Sequence, residues 1–279
     1  MIKLAFLNQK GGVGKSTSTV NIAAALVKNY GKKVLVLDCD RQCNSSSYLS
    51  TFCENINYSM LDCLQNNVPI EEVINQVPVK VKGKMVQDSK LYYIASDKHI
   101  GRLSLSDVHA VNNALKSLDS EFDYCLMDMP PQFDGAEEME NEYTDNVRYS
   151  YALSSLVAAD YVVVPCMPTR FSISGFDDLI DSVNFIREKN WNVNLKILGI
   201  FLNNINSIRG LEKFITQDLQ ADNQTVLKAY IKSAAVVGQA EFYGIPVPYY
   251  EPSSQTSIEY MLLAGEIVRR VKQLEKEKK

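Results

Sequence analysis

Short apolar runs alternate along the chain with longer stretches in which apolar residues recur at helical spacing. A short apolar run bounded by polar residues is typical of a buried strand, and a spacing of three to four residues is typical of a helix that covers a sheet. The pattern predicts strands at 2–7, 34–38, 91–95, 123–128, 161–165 and 196–202, with a weaker one near 226–230. It predicts helices at 16–29, 105–118, 147–158, 174–189, 209–220 and 257–275.

Strands that alternate with helices favour an α/β fold, a mostly parallel twisted sheet with helices on both faces. Neither a repeat nor a linker divides the sequence, so we expect one domain over residues 1–279. Residues 51–90 are less regular and predict short helices and a hairpin at 77–87. The last helix carries an apolar stripe that we expect to pack on the sheet. The stripe consists of Ile258, Met261, Leu262, Val268 and Val271.

Composition is that of an ordinary globular protein, with 46% hydrophobic and 22% charged residues. No apolar run reaches the roughly 18 residues of a transmembrane helix, and the first strand begins too early for a signal peptide. We therefore expect a cytoplasmic protein. The net charge of −4 argues against a surface coated with basic residues for nucleic acid. The six cysteines form no C-x-x-C pair and the two histidines are isolated, which favours neither a metal cluster nor a histidine-centred triad.

A glycine-rich loop, Lys10-Gly11-Gly12-Val13-Gly14-Lys15-Ser16-Thr17, stands between the first strand and the first helix. Glycines in this position let backbone N–H groups turn toward phosphate oxygens, and the N-terminus of the helix adds to that field. Lys15 can reach the β- and γ-phosphates, and the Ser16 hydroxyl can bind Mg²⁺. The loop therefore predicts a nucleotide site. It departs from the ordinary G-x-x-x-x-G-K-[ST] pattern, with Gln9 in place of a glycine and a second lysine, Lys10.

The run from Asn8 to Thr17 resembles the deviant Walker A motif of the ParA/MinD family of P-loop ATPases, and most of all that of the ParA (Soj-like) partition ATPases. The resemblance implies a single P-loop NTPase domain that uses ATP and Mg²⁺. In that family the first lysine reaches across a nucleotide sandwich dimer to the phosphates of the partner subunit, and this role falls on Lys10. No helix-turn-helix segment precedes the loop, so we expect no such N-terminal domain.

Two carboxylates follow the second strand, in the run Asp38-Cys39-Asp40-Arg41-Gln42-Cys43-Asn44. Ligand sites in α/β proteins form past the carboxyl ends of strands, and Asp38 and Asp40 share a face of an extended chain. The run resembles the family's D-x-D-P-Q-G-N, the switch I region. By that match Asp40 orients or activates the attacking water and Asp38 supports the Mg²⁺ shell, to which we also assign Asp40. Arg41 replaces the family's proline and Cys43 its glycine.

A third carboxylate, Asp128, ends an apolar run and precedes Met129-Pro130-Pro131. The run resembles a Walker B strand, whose carboxylate reaches Mg²⁺, usually through water. A later strand ends in Asn203-Asn204, where relatives place contacts to adenine. A side-chain amide can read an adenine edge because it both donates and accepts. Either residue is a candidate, and a structural role is an equal alternative.

The family resemblance implies an ATP-dependent homodimer with slow intrinsic ATPase activity. It also implies nonspecific DNA binding, stimulation by a ParB-like centromere-binding protein, nucleoid association, and a role in plasmid or chromosome partition. Relatives commonly carry Ile-Pro-Arg-Asn in this region, where the proline packs on adenine and the arginine helps to bind DNA. This chain has Tyr230-Ile231-Lys232-Ser233, with Lys232 and Ser233 at those positions, so the resemblance does not extend to base packing and DNA contact here. The remaining candidate DNA contacts are Arg209, Lys213, Lys228, Lys232, Arg269, Arg270 and Lys272.

Three alternatives share parts of this pattern. A positioning ATPase for cargo other than DNA shares every motif. A MinD-like membrane-cycling ATPase would need a membrane-binding tail, and the charged residues after Leu274 argue against one. A metabolic P-loop ligase would not need Lys10. The acidic stretch 134–145 is either a solvated loop or a partner-facing surface near the segment that follows Asp128.

Overall fold

The computed structural model describes residues 1–53, 56–81, 84–86, 89–131, 148–168, 176–206 and 226–277. Its strands are β1 (Ile2–Phe6), β2 (Val34–Asp38), β3 (Ile74–Gln76), β4 (Val79–Val81), β5 (Lys84–Val86), β6 (Leu91–Ile94), β7 (Ser104–Leu105), β8 (Tyr124–Asp128), β9 (Tyr149–Ser150), β10 (Tyr161–Cys166) and β11 (Lys196–Leu202). Its α-helices are α1 (Lys15–Tyr30), α2 (Asn44–Leu49), α3 (Met60–Asn66), α4 (Ala110–Leu115), α5 (Tyr151–Ala158), α6 (Phe176–Glu188), α7 (Ala235–Phe242), α8 (Val247–Tyr250) and α9 (Gln255–Glu277).

Seven of these strands form one sheet in the order β11-β10-β1-β8-β2-β6-β3. Strand β1 lies between β8 and β10 and is parallel to both. Only the short edge strand β3 runs antiparallel within this sheet of described residues. Because the other strands are parallel, the carboxyl ends of β1, β8 and β2 meet at one edge, where ligand sites form in this type of fold.

Both faces of the sheet are covered, as the alternation of apolar side chains along each strand requires. Leu4 and Phe6 of β1 pack in a core that includes residues of α1 and α9. Ala5 of the same strand and the following Leu7 pack in the opposite core, with residues of α4, α5 and α6. The predicted fold class, a mostly parallel sheet with helices on both faces, is therefore confirmed. Among the described residues, no helix is long and apolar enough to cross a membrane.

Several predicted boundaries were wrong for local reasons. The helix predicted at 105–118 begins at Ala110, because Ser104–Leu105 pairs as a short ribbon with β9. The weak strand predicted near 226–230 reduces to a single bridge between Val226 and Ile200. The Glu266 carboxylate accepts hydrogen bonds of 2.9 and 2.8 Å from the backbone N–H groups of Lys228 and Ala229, so these N–H groups do not pair with a strand.

The hairpin predicted at 77–87 is confirmed as the antiparallel pair β4 and β5. The helix predicted at 209–220 and the acidic stretch 134–145 lie outside the described residues.

The apolar stripe predicted on the last helix was partly wrong. Val268 and Val271 are buried, but Ile258 and Leu262 are 39% and 52% exposed. The buried face of α9 is instead completed by Tyr260, Leu263, Ala264 and Ile267. The buried face of α9 is therefore rotated around the helix axis relative to the predicted stripe. The small residues Ala264 and Gly265 lie on this buried face and allow close packing on α1, where Tyr30 approaches Gly265.

Candidate functional site

The glycine-rich loop joins β1 to α1, and two of its glycines have left-handed backbone conformations. The φ angles are +75° at Gly12 and +83° at Gly14, a region that side chains with a Cβ disfavour. A Cβ at Gly14 would lie 2.4 Å from Nδ2 of Asn203. By contrast, in the described part of the chain no atom beyond the two neighbouring residues lies within 4 Å of the position a Cβ would take at Gly11 or Gly12. Asn203 therefore packs directly against the loop at Gly14, whereas the space beside Gly11 and Gly12 is open in the described part of the chain.

Lys15 is buried at the first position of α1 and holds the loop from within. Its Nζ donates to the carbonyl oxygens of Asn8 and Lys10 at 3.0 and 3.1 Å. Burial lowers the pKa of Lys15, and the nearby carboxylates of Asp128 and Asp40 partly offset that effect. The Lys15 ammonium group thus interacts electrostatically with two of the predicted carboxylates, Asp40 and Asp128.

Two asparagines fix the loop against neighbouring strands, a role that was not predicted for Asn8 and was one of two alternatives for Asn203. Asn8 donates from Nδ2 to Pro165 O at 2.8 Å and accepts from the Lys10 N–H at 2.9 Å. Asn203 donates from Nδ2 to Val13 O at 2.8 Å. The position of each asparagine directly after a predicted strand of the same sheet was the available signal. Adenine contact by Asn203 or Asn204 stays a prediction; Asn204 is exposed, with φ at +54°.

Asp38 and Asp128 end neighbouring parallel strands and face each other in register. Both side chains are almost fully buried, with 1% and 0% of their surface exposed. Burial raises the pKa of Asp128 above the ordinary range of a carboxyl group, and the charge of Asp38 raises it further. Burial likewise raises the pKa of Asp38, although hydrogen bonds from Ser46 oppose the shift.

The two carboxylates differ in how their oxygens are used. Asp38 accepts from the Asp40 N–H at 3.0 Å, and from the N–H and hydroxyl of Ser46 at 2.8 and 2.6 Å. Asp128 accepts from the Ser45 hydroxyl through Oδ2. Its other oxygen, Oδ1, is buried and has no hydrogen-bond partner among the described residues. Asp128 therefore has an oxygen available for a ligand, whereas both oxygens of Asp38 are engaged by the protein.

Asp40 is also buried and lies in the field of Lys15 and Asp128, as described above. Its Oδ1 accepts from the Gln42 N–H at 3.0 Å, which fixes the carboxylate within the segment 38–44, hereafter the switch I loop. Ser16 lies beside Asp128, where its hydroxyl lowers the pKa of that carboxyl group. Thr17 is half-buried and donates to Glu241 of α7 at 3.4 Å.

The two departures from the family pattern in the switch I loop are accommodated locally. Cys43 adopts a left-handed conformation with φ at +54°, the conformation for which a glycine is preferred. Arg41 is exposed and packs against Gly101, where a Cβ would lie 3.0 Å from the arginine Cδ. The loop therefore keeps Asp38 and Asp40 in place despite both substitutions.

The residues fit a nucleotide with Mg²⁺. Oδ1 of Asp128, which is buried and has no hydrogen-bond partner in the described part of the chain, needs a donor or a cation, because an unpaired buried carboxylate oxygen is costly. Among the described residues, no group of three His, Cys, Asp or Glu side chains is arranged to hold a metal ion alone. Mg²⁺ in nucleotide sites is bound by one or two protein ligands and completed by phosphates and water. Ser16 and Asp128 would hold the ion, with Asp40 beside them.

The basic residues considered for DNA contact that the structure describes lie on the segment 226–233, beside the end of β11, and on α9. Lys228, Arg269 and Lys272 are exposed, and Lys232 is half-buried with its N–H bound to Glu259 at 2.9 Å. Arg270 is half-buried, and its Nε has no hydrogen-bond partner in the described part of the chain. Arg209 and Lys213 fall outside the described residues.

Comparison with known families agrees with this geometry. The model of the AAA_31 family, described as an AAA domain, matches residues 1–197. The chain belongs to this family and, within it, to the ParA/MinD P-loop ATPases.

Two relatives and one solved structure illustrate the likeness. The chain is 24% identical to the chromosome partitioning protein ParA of Myxococcus xanthus, over 94% of this chain and 86% of the relative. It is 25% identical to the sporulation initiation inhibitor protein Soj of Bacillus subtilis, over 95% of this chain and 97% of the relative. The septum site-determining protein MinD of Pyrococcus horikoshii, complexed with Mg-ADP, superimposes with a TM-score of 0.71 at 25% identity, covering 95% of each chain.

The raised pKa of Asp128 predicts how the stability of the nucleotide-free protein depends on pH. A carboxyl group whose pKa is higher in the folded state binds more protons when folded, so its contribution to stability falls as pH rises from about 4 toward neutrality. Asp128→Asn should therefore reduce the loss of unfolding free energy between pH 5 and pH 8, on the order of 1 kcal/mol or more. Urea unfolding without nucleotide at pH 5, 6.5 and 8 measures this loss. Asp178→Asn, on the exposed surface of α6, is the matched control. If the unfolding free energy of Asp128→Asn depended on pH in the same way as that of the wild type, the raised pKa of Asp128 would be contradicted.

Proposed function

We propose that this protein is an ATP-dependent dimerising switch ATPase of the ParA type that acts in the partition of DNA. The main support for the proposal is that the glycine-rich loop, Asp40 and Asp128 lie together at the ends of adjoining strands. Lys10 is part of the glycine-rich loop. A nucleotide site alone would need only Lys15 and Ser16. Lys10 adds the residue that completes the site of a second subunit.

The chain's own residues have distinct tasks in ATP hydrolysis. Lys15 neutralises charge on the phosphates, since its ammonium already lies between Asp40, Asp128 and the loop carbonyls. Ser16 and Asp128 would hold Mg²⁺, which would supply positive charge to balance the charge that develops on the transferred phosphoryl group. Asp40 orients a water molecule and accepts its proton. Asp38 keeps the backbone of Asp40 in place through the N–H bond at 3.0 Å.

The switch follows from the position of Asp40 within a loop rather than within a strand. The same loop continues into α2, and Ser45 of that helix is bonded to Asp128. Loss of the γ-phosphate removes the charge that orders such a loop, as in other nucleotide switches. The lifetime of the ATP-bound dimer, and not the product, is then the output, so intrinsic turnover is slow.

The proposal includes DNA binding by the ATP-bound dimer. Affinity for nonspecific duplex DNA should fall steeply with salt, with a logarithmic slope of about −0.9 for each phosphate neutralised. Arg269→Ala and Lys272→Ala should each reduce that slope by about one phosphate contact. Fluorescence anisotropy over a salt series measures the slope. Lys32→Ala, a lysine that pairs with Asp123, is the control. Binding that does not change with salt would contradict this mode of DNA contact.

The experiment that tests the proposed function measures ATPase activity alone, with nonspecific DNA, with the product of the adjacent gene, and with both. A ParA-type switch should be slow alone and stimulated by the partner, most strongly with DNA present. Stimulation by the partner but not by DNA would indicate a positioning ATPase for other cargo. Stimulation by neither would overturn the partition function.

A further inference from the structure

Three consecutive serines occupy the start of α2, and they differ sharply in their surroundings. Ser45 and Ser46 are buried, while Ser47 is exposed on the same helix. The Ser45 hydroxyl donates to Oδ2 of Asp128 on β8. The N–H and hydroxyl of Ser46 donate to Oδ2 of Asp38 on β2. Two adjacent residues of one helix thus hold the two carboxylates that end neighbouring strands.

The two serines have different consequences for their carboxylates. The Ser46 hydroxyl also accepts from the Ser96 N–H at 2.9 Å, so it joins Asp38 to the segment that follows a third strand, β6. Ser45 engages only one oxygen of Asp128, and the other oxygen is buried without a partner among the described residues. The Ser45 hydrogen bond holds Oδ2 of Asp128 and leaves Oδ1 available, because a charge-assisted hydrogen bond favours one orientation of the carboxylate; the Ser16 hydroxyl lies beside the same group.

Ser45 is also the residue that directly follows the switch I loop in the sequence. Asn44 is the first residue of α2, and the switch I loop with Asp40 directly precedes Ser45. Further along the helix, the Tyr48 hydroxyl donates to Ile245 O, which anchors α2 to the segment after α7. A shift of α2 would therefore change the hydrogen bond to Asp128, and a change at Asp128 would act on α2.

We propose that Ser45 is a positioning residue for the Mg²⁺ site: its hydroxyl fixes Asp128 so that the second carboxylate oxygen remains free to receive the ion's hydration shell. The inference rests on the proposed function, because it assumes that a nucleotide binds with Mg²⁺. It goes beyond that function by making the start of α2 part of the metal site. The same bond links the metal site to the switch I loop.

The test compares nucleotide binding with and without the ion. The affinity of a fluorescent ADP analogue is measured with saturating Mg²⁺ and with excess EDTA for the wild type, Ser45→Ala and the matched control Ser47→Ala. The ratio of the two affinities reports the contribution of the ion, and it does not depend on hydrolysis. Ser45→Ala should lower this ratio about 10-fold, as is usual when the partner of a metal-binding side chain is removed. Ser47→Ala should leave it unchanged.

Ser45→Cys is measured beside the alanine variant, because a thiol has a similar size but donates only weakly. It should lower the ratio in the same direction, and it replaces Ser45→Ala if that variant does not fold. An unchanged ratio in the folded Ser45 variants, or an equal loss of affinity with and without Mg²⁺, would overturn the proposal. A wild type that binds no nucleotide under either condition would instead overturn the proposed function.

Discussion

Lys10→Ala is expected to abolish ATP-dependent dimer formation and to lower the partner-stimulated ATPase rate by about 10³-fold or more, the range seen when a charge supplied in trans is removed. Binding of ATP by the monomer should persist. Two hydrogen bonds of Lys10 use its main chain: the carbonyl accepts from Lys15 and the N–H donates to Asn8. Alanine keeps both contacts. Sedimentation velocity and a coupled phosphate assay measure the two effects.

Two controls sharpen the Lys10 result. Lys98→Ala removes another exposed lysine that follows a strand of the same sheet, and it should change neither dimer formation nor rate. Lys15→Ala should lose nucleotide binding itself, since the Lys15 ammonium lies inside the loop, where it donates to the carbonyl oxygens of Asn8 and Lys10. Unchanged dimerisation and turnover in Lys10→Ala would favour a metabolic P-loop enzyme over a switch.

Asp40→Ala is expected to slow hydrolysis by about 10²–10⁴-fold, the usual contribution of a group that accepts a proton from the attacking water. ATP binding should remain, because the loop, Lys15 and Asp128 are untouched, and the dimer should therefore become longer lived. Single-turnover hydrolysis and ATP-bound dimer lifetime are the measurements. Asp97→Ala is the matched control, a half-buried carboxylate at the same edge of the sheet that accepts from the His99 N–H. A fast Asp40→Ala enzyme would assign the water-orienting role to another residue.

The sequence predicted the parallel α/β architecture because strand runs such as Val34–Asp38 are short, apolar and separated by helical patterns. The edges of the fold were harder to predict. The extended segment after Val226 has strand-like residues. The carboxylate of Glu266, about forty residues later in the sequence, accepts hydrogen bonds from two backbone N–H groups of this segment. Only the folded chain brings that carboxylate to the segment.

The carboxylates and the glycine-rich loop could be placed from their order along the chain and from their position after strands. Their partners could not. Ser45 and Ser46 are neighbours in a stretch of three serines that gives no sign of which is buried. Helical geometry directs one hydroxyl to Asp128 and the other to Asp38, whereas Ser47 faces solvent. Likewise, the amide of Asn203 was assigned to adenine as a candidate, and the structure shows it bound to Val13 of the loop.

The central claim is that ATP converts this chain from monomer to dimer through Lys10. Light scattering after gel filtration tests it most directly, with Asp40→Ala protein to prevent turnover and with Mg²⁺ plus either ATP or ADP. We expect a mass near the 31.4 kDa of one chain with ADP and twice that mass with ATP. The Lys10→Ala, Asp40→Ala double variant should remain at the single-chain mass with both nucleotides. The same mass with ATP and ADP, or a dimer that persists without Lys10, would contradict it.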